Sequence, residues 1–209
     1  RQLMALAENP STNAQAARAL FLLGQTDREQ GNLRAALRRF QRVRSQYPDT
    51  EVAPAAFYAE GATHVQLEQY DAAAAAFERL GTQFPSSPYA QNLGTALAEV
   101  YYRLGQYEAA ATELEQRIAQ LPAADQARAR FLLAEAYNQL DRGSEALSQY
   151  KQVLDQHSDS PYALPSRYGM GWRYFQSENY ADAVDAFSRV RQGADGSLGL
   201  QAAYFEALS

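Results

Sequence analysis

Residues 69–85 read QYDAAAAAFERLGTQFP, and this stretch decides the fold. Tyr70 is followed three residues on by Ala73 and seven on by Phe77. That spacing places all three on one face of a helix. Pro85 closes the run, because a proline ring cannot continue a helix. Outward from here the pattern returns four times. Residues 31–48 read GNLRAALRRFQRVRSQYP, 106–122 read QYEAAATELEQRIAQLP, 142–158 read RGSEALSQYKQVLDQHS and 179–194 read NYADAVDAFSRVRQGA. The heads are Leu33, Tyr70, Tyr107, Gly143 and Tyr180, separated by 37, 37, 36 and 37 residues. Ala36, Ala73, Ala110, Ala146 and Ala183 follow at the same place, then Phe40, Phe77, Leu114, Tyr150 and Phe187. Self-similarity at this period marks a stack of one supersecondary unit.

Upstream of each head lies a second apolar-periodic run. A small residue stands nine positions before it: Gly24, Gly61, Ala98, Ala134 and Gly171. Tyr101, Tyr137 and Tyr174 stand six before the later heads. Each unit therefore carries two helices joined by a short turn. The small residue lets the pair approach, and the large residue of the second helix fills the gap. Pro48, Pro85 and Pro122 are expected to end the second helices.

This pattern resembles the tetratricopeptide repeat (TPR) family: Gly/Ala, then Tyr, then Tyr-x-x-Ala-x-x-x-Phe, then Pro. The resemblance covers nearly the whole chain. It implies an all-α, right-handed α-solenoid of helix-turn-helix repeats over 14–48, 51–85, 88–122, 124–158 and 161–194. Residues 1–10 read as the end of a preceding repeat and 198–209 as the start of a further one, so the chain reads as a single solenoid segment cut from a longer protein. Faces left open at such ends would be able to self-associate, since repeats bury their apolar faces only against neighbours. Departures are Asp27 and His64 at the first-helix Tyr position, Gly143 at the Tyr head and Ser158 at the proline. The units also exceed the usual TPR length of about 34 residues. The extra residues form linkers such as Pro85-Ser86-Ser87-Pro88-Tyr89-Ala90 and His157-Ser158-Asp159-Ser160-Pro161-Tyr162-Ala163. These linkers are similar to those of bacterial envelope TPR proteins that accompany outer-membrane β-barrel assembly and the Tol–Pal system. The compartment this suggests is the periplasm or cell envelope rather than the cytoplasm.

Composition narrows the function. The 209 residues are 46% apolar and 21% charged, with a formal net charge of −5. There is no cysteine, and the two histidines are His64 and His157. Disulfides, thiolate metal sites and cysteine nucleophiles are excluded, and a His-rich metal site or histidine relay has too few members. A pI near 5.1 opposes nucleic-acid binding. No apolar run approaches the roughly 20 residues of a membrane-spanning helix. Alanine supplies about a fifth of the chain and is the strongest helix former.

The TPR resemblance implies that ligands contact first-helix positions two, five, nine, twelve and thirteen. In the first two units these are Arg18, Phe21, Gln25, Arg28, Glu29, and Ala55, Tyr58, Ala62, Val65, Gln66. The third has Asn92, Thr95, Glu99, Tyr102 and Arg103. The fourth has Arg128, Phe131, Glu135, Asn138 and Gln139, and the fifth Pro165, Tyr168, Trp172, Phe175 and Gln176. The candidates for partner contact are Tyr58, Asn92, Tyr102, Arg103, Arg128, Phe131, Asn138, Tyr168, Trp172 and Phe175. Aromatics give large contact area, and Asn pairs with backbone amides. The alternative for the aromatics is packing against the adjoining helix. The lysine of the carboxylate clamp found in some TPR proteins is missing; Lys151 is the sole lysine.

Other features read as structural. Arg34, Arg38, Arg39, Arg42 and Arg44 form a basic cluster, read as a solvated helix face. Glu60, Glu68, Glu113 and Glu115 sit at positions that look solvated, not at a desolvated pair fit for acid–base work. His64 is expected to be partly buried and structural, and His157 exposed. Residues 193–199 lack the lysine and preceding strand of a phosphate loop and read as a flexible connector. The function expected is a non-catalytic scaffold offering a concave groove to a peptide or protein, with no cofactor, metal, nucleic acid or membrane insertion. Two other roles fit the sequence: an accessory region of a larger envelope protein, and a regulatory repeat attached to an enzyme domain outside this segment.

Overall fold

In the computed structural model, residues 12–91, 93–194 and 196–209 are described. The expectation for residues 1–10 lies outside them. The described residues contain α-helices, one short 3-10 turn and no strand. The chain divides into two compact units, residues 1–105 and 106–209. The first unit holds α1 (Asn13–Glu29), α2 (Leu33–Gln46), α3 (Ala53–Gln66), α4 (Tyr70–Gln83), α5 (Pro88–Gln91) and α6 (Gly94–Arg103). The second holds α7 (Tyr107–Arg117), α8 (Ala123–Gln139), α9 (Gly143–Gln156), α10 (Ala163–Gln176), α11 (Tyr180–Gly193) and α12 (Ser197–Leu208). Within each unit consecutive helices pack as neighbours, and α1 touches α3 as α8 touches α10. The fold class is the all-α repeat of helix pairs that the sequence predicts.

The close approach of paired helices follows from the small residue. Phe40, Phe77 and Phe187 are at most 1% exposed. A Cβ on Gly24 would lie 2.5 Å from the Phe40 ring, and one on Gly171 would lie 2.8 Å from Phe187. Gly61 stands against Phe77 in the same way. Each ring occupies the volume a side chain would take. Ala36, Ala73 and Ala183 have no exposed surface and complete the same contact.

Both ends of the helix pairs repeat as well. Gly31, Glu68, Gly105, Asp141 and Glu178 each stand two residues before a head, and all five have positive φ, between 57° and 78°. This left-handed residue closes the first helix. In four of the turns the next N–H reaches back five residues: Asn32 to Asp27, Gln69 to His64, Arg142 to Tyr137 and Asn179 to Tyr174, at 2.8–2.9 Å. That bond satisfies a carbonyl the helix end would otherwise orphan. At the far end, Tyr47, Phe84 and His157 cap the second helices with near-identical backbone angles.

Successive pairs are joined by polar contacts at the first-helix Tyr register. Tyr101 donates its hydroxyl to Glu78 at 3.0 Å, and Tyr137 donates to Glu115 at 2.5 Å. The departures from tyrosine carry their own partners: Asp27 pairs with Arg39, and His64 Nδ1 meets Gln69 Oε1 at 2.8 Å.

Four expectations need correction. Pro122 does not end a second helix; α7 stops at Arg117, a 3-10 turn follows, and Pro122 caps the start of α8 with extended ψ. Here the step between heads is one residue shorter, and the helix follows the proline at once. His157 is half-buried, because it occupies the capping place of Tyr47 and Phe84. Glu60 is 5% exposed, not solvated. It accepts from Gln41 Nε2 at 3.3 Å, and Arg44 Nε lies 3.2 Å from it while the guanidinium covers the Phe57 ring. Burial with a paired cation replaces hydration there. Residues 193 and 197–199 are helical, Gly193 closing α11 and Ser197 opening α12.

Two substitutions test this packing. Phe77→Ala removes a fully buried ring and should cost about 3–5 kcal/mol. Gly61→Ala gains up to about 1 kcal/mol of helix propensity but displaces that ring at about 1–3 kcal/mol, so a net loss is expected. Urea unfolding curves of both variants, fitted with a common slope, measure the two losses.

Candidate functional site

Four of the ten candidate residues converge in the second unit. Phe131 and Asn138 of α8, with Tyr168 and Trp172 of α10, line one open cleft of about 400 Å³. The cleft lies between two first helices, with Leu198 of α12 at one margin. All four side chains are partly exposed. Tyr168 is also held edge-on to Phe187 at 5.6 Å, and Trp172 edge-on to Phe205 at 5.0 Å. Phe131 rests on Tyr150 and Tyr162. The rings are thus fixed from behind and open in front.

The other candidates stand elsewhere. Phe175 stacks on Trp172 at 5.9 Å and is not part of the cleft lining. Tyr58 lies in the first unit between Phe77 and Tyr89, at 5.7 and 5.9 Å. Half-buried Tyr102 and exposed Arg103 end α6 in that unit, and exposed Arg128 lies near the start of α8. Asn92 lies outside the described residues. Tyr58 and Phe175 both contact neighbouring rings.

A polar network floors the cleft. The Tyr150 hydroxyl donates to the carboxylate of Glu135, and Asn138 Nδ2 donates to the same hydroxyl at 2.5 Å. Tyr150 itself has no exposed surface. Gly169 makes room for it, since a Cβ there would collide with the ring. Asn138 Oδ1 is buried with no hydrogen-bond partner among the described residues. Such an orphaned acceptor costs about 1–3 kcal/mol. Burial pushes the Glu135 carboxyl above the ordinary carboxylate range, and the bond from Tyr150 opposes that rise. Asp141 adds a second acid at the rim.

Arg173 is the one cation of the lining, and it is engaged elsewhere. Its Nη1 donates to Gln176 Oε1 at 2.9 Å, and its Nη2 occupies the space over Gly143 where a side chain would begin. That explains the missing tyrosine head at 143. No ion pair joins Arg173 to Glu135 or Asp141.

Sequence reasoning did not single out Tyr150, Asp141 or Arg173 as site residues. A signal existed for two of them. Tyr150 puts a hydroxyl where Phe40, Phe77 and Phe187 have none, and Gly143 breaks the head pattern where Arg173 fits. Among the described residues, no group of three or more His, Asp or Glu is placed to hold a metal ion. None of the described helices is long and apolar enough to cross a membrane.

Comparison with known proteins places this geometry. The YfiO family model, described as outer membrane lipoprotein, matches residues 51–163, more than half of the chain. A tetratricopeptide repeat model matches residues 18–50. No curated protein matches the sequence. Among solved structures, YrrB, titled a TPR protein with an unusual peptide-binding site, is 23% identical, with 96% of each chain covered and a TM-score of 0.77. MamA from Desulfovibrio magneticus RS-1 is 21% identical over 84% of this chain and 93% of that one, with a TM-score of 0.72. A tetratricopeptide repeat protein from Parabacteroides merdae is 15% identical over 92% of this chain and 74% of that one, at 0.77. At these identities the likeness is one of fold.

The raised pKa of Glu135 sets a stability test. Its carboxylate is disfavoured in the fold relative to the unfolded chain, so stability falls as pH rises from the unfolded value, about 4.3, through the folded one. Glu135→Gln keeps an acceptor for Tyr150 and removes the charge. Thermal melts should show the variant more stable than the parent at pH 7, with the difference vanishing near pH 4.

Proposed function

The chain belongs to the YfiO family of outer membrane lipoproteins, and from that premise we propose that it is a non-catalytic scaffold of the cell envelope that seats a peptide or protein segment in the α8–α10 cleft. One observation carries the reading: three rings, Phe131, Tyr168 and Trp172, line the same open space as the polar residues Glu135 and Asn138. Rigid aromatics supply contact area at little entropic cost. Because the rings are held from behind, the cleft is formed before the partner arrives, which lowers the ordering cost of binding. The candidates Tyr58, Asn92, Tyr102, Arg103, Arg128 and Phe175 are secondary contacts in this proposal. YrrB, a TPR protein with an unusual peptide-binding site, has a similar fold, which is in keeping with it.

A second reading has its own observation. Leu200, Tyr204 and Leu208 recur every four residues along α12 and are 75%, 61% and 52% exposed. They make one apolar helix face, so association through that end, with the protein as an accessory region, is the competing role.

Random-peptide selection on the intact chain separates the two. Trp172 is the sole tryptophan and lies in the cleft, so its fluorescence reports occupancy there. Selected peptides should change that emission and bind Phe131→Ala at least about tenfold more weakly, with Leu200→Glu/Tyr204→Glu unaffected. Peptides lost only in the α12 variant would move the site to the end of the chain.

A further inference from the structure

The scaffold reading leaves open which chemistry the cleft selects, and the electrostatics of its lining answer that. Two carboxylates, Glu135 and Asp141, face one cation, Arg173, which is already committed to Gln176 and to the space over Gly143. Among the described residues no cation pairs with Glu135, which accepts from the neutral hydroxyl of Tyr150. Beside it Asn138 adds a polar side chain to the lining. Around them stand Phe131, Tyr168 and Trp172. Ring faces attract cations, tryptophan most strongly. An aliphatic stem that ends in a charge gains from both parts of such a site. The volume, about 400 Å³, lies near the small end of ligand pockets, a size that favours side chains over a large cofactor.

We propose that the cleft recognises a cationic side chain, a lysine or arginine of the partner segment, with its stem against Phe131, Tyr168 and Trp172 and its charged head on Glu135. This rests on the scaffold reading above and specifies its ligand. A partly buried acid held without a counter-ion weakens the fold, and such a group is understandable where a ligand brings the missing charge. A neutral ligand gains at most a hydrogen bond from Glu135, and an acidic one is repelled by it.

The test uses the intact chain and the peptides recovered by random selection. Each lysine or arginine of a bound peptide is replaced by its neutral isostere, norleucine or citrulline, and binding is followed by Trp172 fluorescence. One cationic position should be shared among the peptides, and neutralising it should weaken binding roughly tenfold. On Glu135→Gln the same replacement should change little, since the charge it answers is gone; Asp141→Asn should show a smaller loss. Melting temperatures accompany each titration, because Glu135→Gln is expected to hold or raise stability while losing the charge preference, and a purely structural Glu135 would lose stability. Peptides that need Phe131 yet share no cation, or tolerate its neutralisation, would overturn this inference and leave the scaffold reading standing. Recovery of no cleft-binding peptide would overturn both.

Discussion

Three of the five helix pairs depend on a helix backbone lying directly against a phenylalanine ring. Gly24 against Phe40, Gly61 against Phe77 and Gly171 against Phe187 leave no room for a β-carbon. This contact sets the separation of the paired helices, and the recurrence of the pair every 36 or 37 residues sets the place of the next. The ring contributes on the order of 2–3 kcal/mol of burial, but its larger effect is geometric. It brings the two helices to one distance, so that the left-handed turn residues can close their carbonyls in register.

The candidate cleft coincides with a local breach of that rule. In the fourth repeat the ring is Tyr150, and its hydroxyl needs a partner in a fully buried place. Glu135 and Asn138 answer it from the facing helix. Gly169 opens α10 to admit the ring, and Gly143 yields its side-chain volume to Arg173. One added oxygen atom in the core thus accounts for a desolvated acid and an orphaned amide oxygen on the cleft floor. The other repeats keep phenylalanine or leucine there.

The fold was legible because period and packing coincide. The heads, the alanines three on and the rings seven on all mark contacts that the structure makes. What stayed hidden was decided by a single residue rather than by the pattern. Pro122 reads like Pro48 and Pro85, yet it starts a helix, because α7 has already ended five residues earlier. Glu60 reads as solvated, and the arginine that pairs with it lies sixteen positions away on another helix. The positive φ of Glu68, Asp141 and Glu178 has no glycine to announce it. In the cleft, the helical face rule located Phe131, Asn138, Tyr168 and Trp172. It did not single out Tyr150 or Arg173, since a site assembled from second-helix and off-face residues has no periodic signature.

The measurement that bears most directly on the central claim is the indole N–H resonance of Trp172. As the sole tryptophan it gives one isolated signal in an amide correlation spectrum. Titration with a selected lysine- or arginine-bearing peptide should shift that signal together with the Asn138 side-chain amide, and both shifts should shrink with the neutral isostere. Shifts confined to Leu200, Tyr204 and Leu208, with the indole unmoved, would contradict the account and place recognition on the end of the chain.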